Sequence, residues 1–347
     1  MNSIQDDDSN AGQTIVKHYR HSQLNALSAD AIPEEIAEYK AKKRRLFQHN
    51  LKHGLAVGGH NLWLFILAVI WLIPIAWLIA CALSSATSPT TTHFLPDPFD
   101  TVSPTYWTFN NFVALWRCTD ATGANAVATN NFPTWFKNTL IISAASCVIS
   151  TLFVLQVSFA LSRMRFKGRK ALMNLSMIMG LFPGMLTMLC IYFIFQYVLN
   201  VSDSNLRLII AYSAASGLGY LICKGFFDTV PKDIDEAAKI DGANEFQIFT
   251  RVIVPLSKPI IVYTILTSFM GPWVDFVYAK IILGSTTSEH YTVAIGLYNM
   301  VTNNSTVYNF YGIFCAGAVC ISIPLSILFI FTQKYYVSGI TGGAVKG

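Results

Sequence analysis

An all-α membrane protein that crosses the bilayer six times is the fold class this sequence predicts, and three observations predict it. Of the 347 residues, 53% are hydrophobic and 12% charged, a balance far from that of soluble domains. The apolar residues gather in blocks, each near or above the ~20 residues that a bilayer requires. Lysine and arginine are distributed unevenly between those blocks, as they are in polytopic proteins with a fixed orientation.

The chain opens with a polar extension, residues 1–55, in which Asp6-Asp7-Asp8 and the stretch after it are expected to be disordered. Pro33 to His49 is expected to be helical and to carry the Lys42-Lys43-Arg44-Arg45 cluster. Such a cluster beside a span holds topology and touches anionic lipid rather than nucleic acid. A short apolar core followed by a cleavage site is not found in the first 60 residues, so the first span is expected to remain as an uncleaved anchor.

Spans are expected at 61–83, 138–161, 172–198, 206–223, 260–282 and 311–332, within a six-helix domain covering 56–333. A short tail, 334–347, closes the chain. Basic residues are retained on the cytoplasmic side during insertion. Twenty of the 24 fall before span one, between spans two and three, between spans four and five, or after span six. Arg117, Lys137, Arg207 and Lys280 are left for the other side. Both termini and the loop 224–259 are therefore expected to be cytoplasmic.

Several chemistries are excluded. Six of the seven cysteines lie in apolar spans and only Cys118 is external, which gives neither a disulfide framework nor metal-ligand spacing. There is no Gly-x-x-x-x-Gly-Lys-Ser/Thr loop to cradle ATP, and no His-Glu-x-x-His to hold a catalytic metal. The chain is thus expected to bind no cofactor and to catalyse no reaction of its own.

The loop between spans four and five is the most structured of the connectors. Asp233 is placed to N-cap a short helix with Glu236 as its box partner, and Gly242 to supply a left-handed stop. Ile234, Ala237, Ala238 and Asp241 then share one face, where the alanines leave room for a close partner. Asn244 caps a second helix with Gln247, Phe246 and Phe249 give it apolar surface, and Pro255 punctuates its end.

Asp275 is the one clear acid inside a span, and it follows Gly271-Pro272-Trp273. A charge at mid-membrane costs about 2.5–3.5 kcal/mol on insertion scales, so it must face protein or water. Hydration or pairing with Lys280 is one reading; contact with a sugar, beside the aromatic face of Trp273, is the other. Further interruptions at 180–184, at Gly217 and Gly219, and at Pro324 are read as close-packing sites.

Glu236-Ala237-Ala238, Gly242 and Val252-Ile253-Val254-Pro255 resemble the EAA loop of binding-protein-dependent ABC importer permeases, with valines in place of the usual Ile and Leu. The segment 267–276 and the C-terminal end, Gln333 to Gly347, resemble the smaller permease of maltose/maltodextrin-type importers. The resemblance covers roughly residues 60–347. It implies an alternating-access permease for an oligosaccharide that works with a homologous second permease, an ABC ATPase dimer holding ATP and magnesium, and an extracellular sugar-binding protein. It further implies that Glu236, Ala237, Ala238, Asp241, Gly242 and Pro255 couple to the ATPase, and that the tail residues Gly342, Gly343 and Lys346 touch it. Trp273 and Asp275 are the candidate path residues. The resemblance implies a place in the bacterial plasma membrane. An ion-coupled secondary carrier or channel is the alternative, favoured if Asp275 titrates with transport.

Overall fold

The computed structural model describes residues 33–85, 95–100, 104–214, 219–284, 286–302 and 307–344. Among them the backbone is helical, apart from loops and two isolated bridges, Ser84 with Trp107 and Thr119 with Asn125. Among the described residues, three helices are long and apolar enough to cross a membrane, or up to six if each bent pair forms one span.

Helix α1, Pro33–Ala82, is one continuous element of 50 residues. The expected helix at 33–49 is therefore its first part rather than a separate element. Pro74 lies inside it and removes one backbone donor without ending it. Two compact units meet in sequence at this proline, Met1–Pro74 and Ile75–Gly347. In the first, Trp63, Phe65 and Trp71 are exposed, as lipid-facing side chains would be.

The second unit begins with the end of α1 and a short helix, α2, Asn110–Arg117. Its centre is α3, Phe132–Arg163, a helix of 32 residues with an inverted pattern. Ser143, Ser146, Ser150, Ser158 and Ser162 are buried while Val148, Leu152 and Phe153 are exposed. That inversion is what a bilayer imposes, since lipid accepts apolar side chains and helix contacts favour small ones. Three of the hydroxyls find backbone acceptors: Ser158 Oγ donates to Tyr220 O at 2.9 Å, Ser146 Oγ to Ile142 O at 2.6 Å and Ser150 Oγ to Tyr212 O at 3.4 Å.

Span three is not the single helix expected at 172–198. It is α4, Arg169–Met179, and α5, Gly184–Leu199, bent by 104°. Pro183 sits in an extended conformation, φ −57° and ψ 124°, so the helix must restart after it. Span four is described as α6, Ser204–Ala214, and α7, Gly219–Thr229; Gly217 lies outside the described residues. Helices α8, Lys232–Ile240, and α9, Glu245–Leu256, form the connector, and α9 carries a π-helical stretch at Ile248–Ile253.

Span five also departs from a single helix at 260–282. Helix α10, Lys258–Val274, stops at Asp275, and α11, Val277–Leu283, begins two residues later. Pro272 removes a backbone donor near that break. α10 packs against α3 and against α13, Val307–Ala344. The tail expected from residue 334 is thus part of the last helix as far as Ala344.

One apolar helix was not expected, α12, Val293–Thr302. It is too short to span, yet Val293, Gly296, Leu297 and Met300 are buried on one face. The start of α3 holds it: Trp135 Nε1 donates to Ser288 O at 2.6 Å, Asn138 Nδ2 to Glu289 O at 2.7 Å, and Val293 N to Thr139 Oγ1 at 2.9 Å.

Candidate functional site

The connector α8–α9 is built by local hydrogen bonds. The start of α8 corrects the sequence reading, because its cap is Pro231, at φ −57° and ψ 136°, and no side chain caps it. Asp233 and Asp235 stand in its first turn, where carboxylates favour the positive end of the helix dipole. Glu236 consequently has no capping partner at Asp233 and is exposed.

The end of α8 follows the reading closely. Gly242 adopts φ +85°, Gly242 N donates to Lys239 O at 3.0 Å, and Ala243 N donates to Ala238 O at 2.9 Å. This pair of bonds around a left-handed glycine is the Schellman termination. Two residues on, Gln247 N donates to Asn244 Oδ1 and Asn244 N to Gln247 Oε1, both at 2.9 Å, a reciprocal capping box. Lys239 and Glu245 pair across the joint at 2.7 Å, both about half exposed, so the pair adds only about 0–1 kcal/mol.

The two helices are anchored differently. Ile248 and Ile253 of α9 are buried in one cluster with Val154, Phe159, Cys223 and Phe227, and Phe249 lies against the Phe159 ring at 5.1 Å between centroids. Pro255 does not end α9 outright. It follows the π-helical stretch, and the chain turns at Ser257, where the path bends by 84° into α10. Of α8, by contrast, only Asp235 is buried. Ile234, Ala237 and Asp241 share an exposed face, while Ala238 turns partly toward the Phe159 cluster. Ile240 and Phe246 flank the glycine joint at 87% and 71% exposure. The result is a projecting helix with apolar exposed side chains, hinged on a buried one.

Asp235 was not singled out by the sequence, and neither was its partner. Arg163 Nη1 stands 3.1 Å from Asp235 Oδ2, and both side chains are largely removed from solvent. Burial pushes the Asp235 carboxyl above its ordinary value, against the opposing charges of Arg163 and Lys239.

The expected path residues take different positions. Trp273 is 1% exposed and lies against Phe136 and Phe269, so no open aromatic face stands beside the carboxylate in this conformation. Asp275 is partly accessible and sits at the helix break. Tyr212 donates its hydroxyl to Asp275 Oδ2 at 2.8 Å, and Tyr278 N donates to Oδ1 at 3.1 Å. Lys280 lies instead over the Tyr291 ring, 5.3 Å from its centroid. Gly342 and Gly343 belong to the last turns of α13, and Lys346 lies outside the described residues. Among the described residues no three His, Cys, Asp or Glu side chains are grouped to hold a metal.

Comparison with known proteins places this architecture. The family described as "Binding-protein-dependent transport system inner membrane component" matches residues 153–342, which include the whole α8–α9 connector. The galactooligosaccharides transport system permease protein GanQ of Bacillus subtilis is 33% identical over 287 residues, 82% of this chain and 94% of its own length. The maltodextrin transport system permease protein MalD of Streptococcus pneumoniae is 36% identical over 217 residues, 62% of this chain and 76% of its own. A solved bacterial ABC transporter involved in alginate import contains a chain of the same fold, with TM-score 0.63 and 22% identity over 80% of this chain and 95% of that one.

Proposed function

The chain belongs to the family of binding-protein-dependent transport system inner membrane components, and from that premise we propose that it is the smaller permease subunit of an oligosaccharide importer, with maltose or maltodextrin the first candidate cargo. It is a multi-pass membrane transporter subunit and not an enzyme. ATP and magnesium are held by a partner ATPase dimer, a homologous second permease completes the path, and an extracellular binding protein delivers the sugar. Its place is the bacterial plasma membrane, with both termini and the α8–α9 connector on the cytoplasmic side, as the bias of its basic residues suggests.

The observation that carries this reading is the projecting α8 helix, terminated at Gly242 and backed by the buried α9. Such a helix suits a groove on an ATPase. When ATP closes the ATPase dimer, α8 moves with its groove, and the spans re-orient between two accessible states. Glu236, Ala237, Ala238, Asp241 and Gly242 form or aim the docking helix, and Pro255 lies in the last turn of the buried α9 that backs it. The chain end, with Gly342 and Gly343 in the last turns of α13 and Lys346 two positions further along the sequence than its last residue, supplies a second contact to the same partner. Asp275 is the proposed path residue, whereas Trp273 supports the wall behind it.

Purification of the tagged chain from its own membranes tests the reading. A homologous permease and an ATPase should elute with it, and the complex should hydrolyse ATP faster when sugar-loaded binding protein is added. A chain that elutes alone and drives proton-dependent sugar uptake in liposomes would identify a secondary carrier instead.

A further inference from the structure

Arg163 is the last residue of α3, and its side chain is 4% exposed. Its Nη2 donates to Phe227 O and to Val230 O, both at 2.9 Å, which are carbonyls at the end of α7. Helix ends leave such carbonyls without partners, and a cation there also complements the dipole. The same guanidinium stands 3.1 Å from Asp235 in the first turn of α8. One side chain therefore joins three elements. Beside it, Ser162 Oγ donates to Asp228 Oδ1 at 2.6 Å, which fixes α3 to α7 independently of Asp235, and Lys224 pairs with the same carboxylate at 2.5 Å within α7.

Helix α8 has few other fixings. Asp235 is its one buried residue; beyond the partial burial of Ala238, α8 is held by the chain at its two ends, through Val230-Pro231 to α7 and through the Gly242 joint to α9. The other end of α3 is held by Trp135 and Asn138 to the loop before α12. At 1.5 Å rise per residue, the intervening helix is a rod of roughly 48 Å.

The geometry points to Arg163 and Asp235 as a positioning pair that transmits the displacement of α8 to α3 and α7, distinct from the surface that grips the ATPase. This inference rests on the proposed coupling role of α8. The chemistry suits the task. Asp235 Oδ1, Arg163 Nε and Arg163 Nη1 make no hydrogen bond, so the pair is held by the attraction of opposite charges across its single close approach. A buried pair of this kind is badly disturbed when one partner is removed. Docking residues such as Glu236 and Ala237 lie elsewhere on α8 and are exposed, so the two roles are separable by mutation.

Asp235→Asn in the complete importer complex tests this. Sugar taken up per ATP hydrolysed should fall about fivefold, the scale of coupling changes carried by residues between sites. Membrane abundance and ATPase co-purification should stay as in the parent, and Asp235→Glu should recover part of the ratio. An unchanged ratio in Asp235→Asn overturns the proposal. So does reduced abundance with a normal ratio in the surviving complexes, which would make the pair merely structural. Lost ATPase retention would also overturn it, by assigning Asp235 to docking, while leaving the coupling role of α8 intact. If Asp235→Asn does not accumulate, Asp235→Glu reads the same ratio, with an intermediate value expected and a parental value contradicting. Failure of the underlying reading shows separately, as normal uptake and ATPase retention in Gly242→Val.

Discussion

Tyr212 donates its hydroxyl to the Asp275 carboxylate at 2.8 Å, tying the first half of span four to the break in span five. The second carboxylate oxygen accepts Tyr278 N at 3.1 Å and so serves the start of α11. An acid that looks isolated in the sequence is thus held by two donors, and its partial exposure leaves room for a further one.

Asp275→Asn separates hydrogen bonding from charge. The amide oxygen can keep the Tyr278 bond, so abundance and basal ATP hydrolysis should persist. Uptake should fall about fivefold, because a charge-assisted bond to a sugar hydroxyl exceeds a neutral one by about 1 kcal/mol. Unchanged uptake would make Asp275 a joint between helices only.

Gly296 is set against the Trp135 indole so closely that an added Cβ would lie 2.0 Å from Cε3. Trp135 cannot move away freely, since its Nε1 is bonded to Ser288 O at 2.6 Å. Gly296→Ala should therefore destabilise by about 1–3 kcal/mol through overpacking. A lowered melting temperature of the purified complex, with coupling ratio unchanged in what remains folded, is the expected result.

Removing the capping box should loosen α9 locally. Asn244→Ala loses the acceptor for Gln247 N at a cost of about 1 kcal/mol, so amide exchange at 244–248 should speed up about fivefold. Unaltered exchange there would show that the buried Ile248 alone holds the segment.

Orientation is testable with single cysteines in a background lacking the native ones. Ile240, 87% exposed, should be shielded from an impermeant thiol reagent in intact cells when replaced by cysteine. A cysteine replacing the exposed Asn125 should be labelled. The reverse pattern would invert the topology and place α8 away from ATP.

What the sequence made legible was local. Gly242, Asn244 and Gln247 were readable because caps are made by residues within a few positions of one another, and the structure realises those bonds. The start of α8 was misread for a related reason. Pro231, with its fixed φ and no donor, sets the helix entry two residues before Asp233, and the capping signal was assigned to the side chain instead. The Arg163–Asp235 pair was not legible, because an arginine ending one span and an aspartate in a later connector meet only through the packing of α3 on α7. Trp273 beside Asp275 suggested a sugar face, but Phe136 and Phe269 close over the indole from α3 and α10. The short helix α12 did carry a signal, its apolar residues at 293, 296, 297 and 300, but at ten residues it is shorter than a span.

The central claim is that α8 is aimed at an ATPase by the glycine joint, and Gly242→Val tests it most directly. A Cβ at this position would meet nothing within 4 Å, so the effect comes from the φ of +85° alone. A β-branched residue resists that conformation, at a cost of about 1 kcal/mol or more, and α8 should be redirected while the spans stay folded. Normal membrane abundance, weakened ATPase co-purification and loss of sugar-stimulated hydrolysis are the predicted results, with Gly242→Asn milder because asparagine tolerates the left-handed region. Normal ATPase retention together with normal uptake in Gly242→Val would contradict the account.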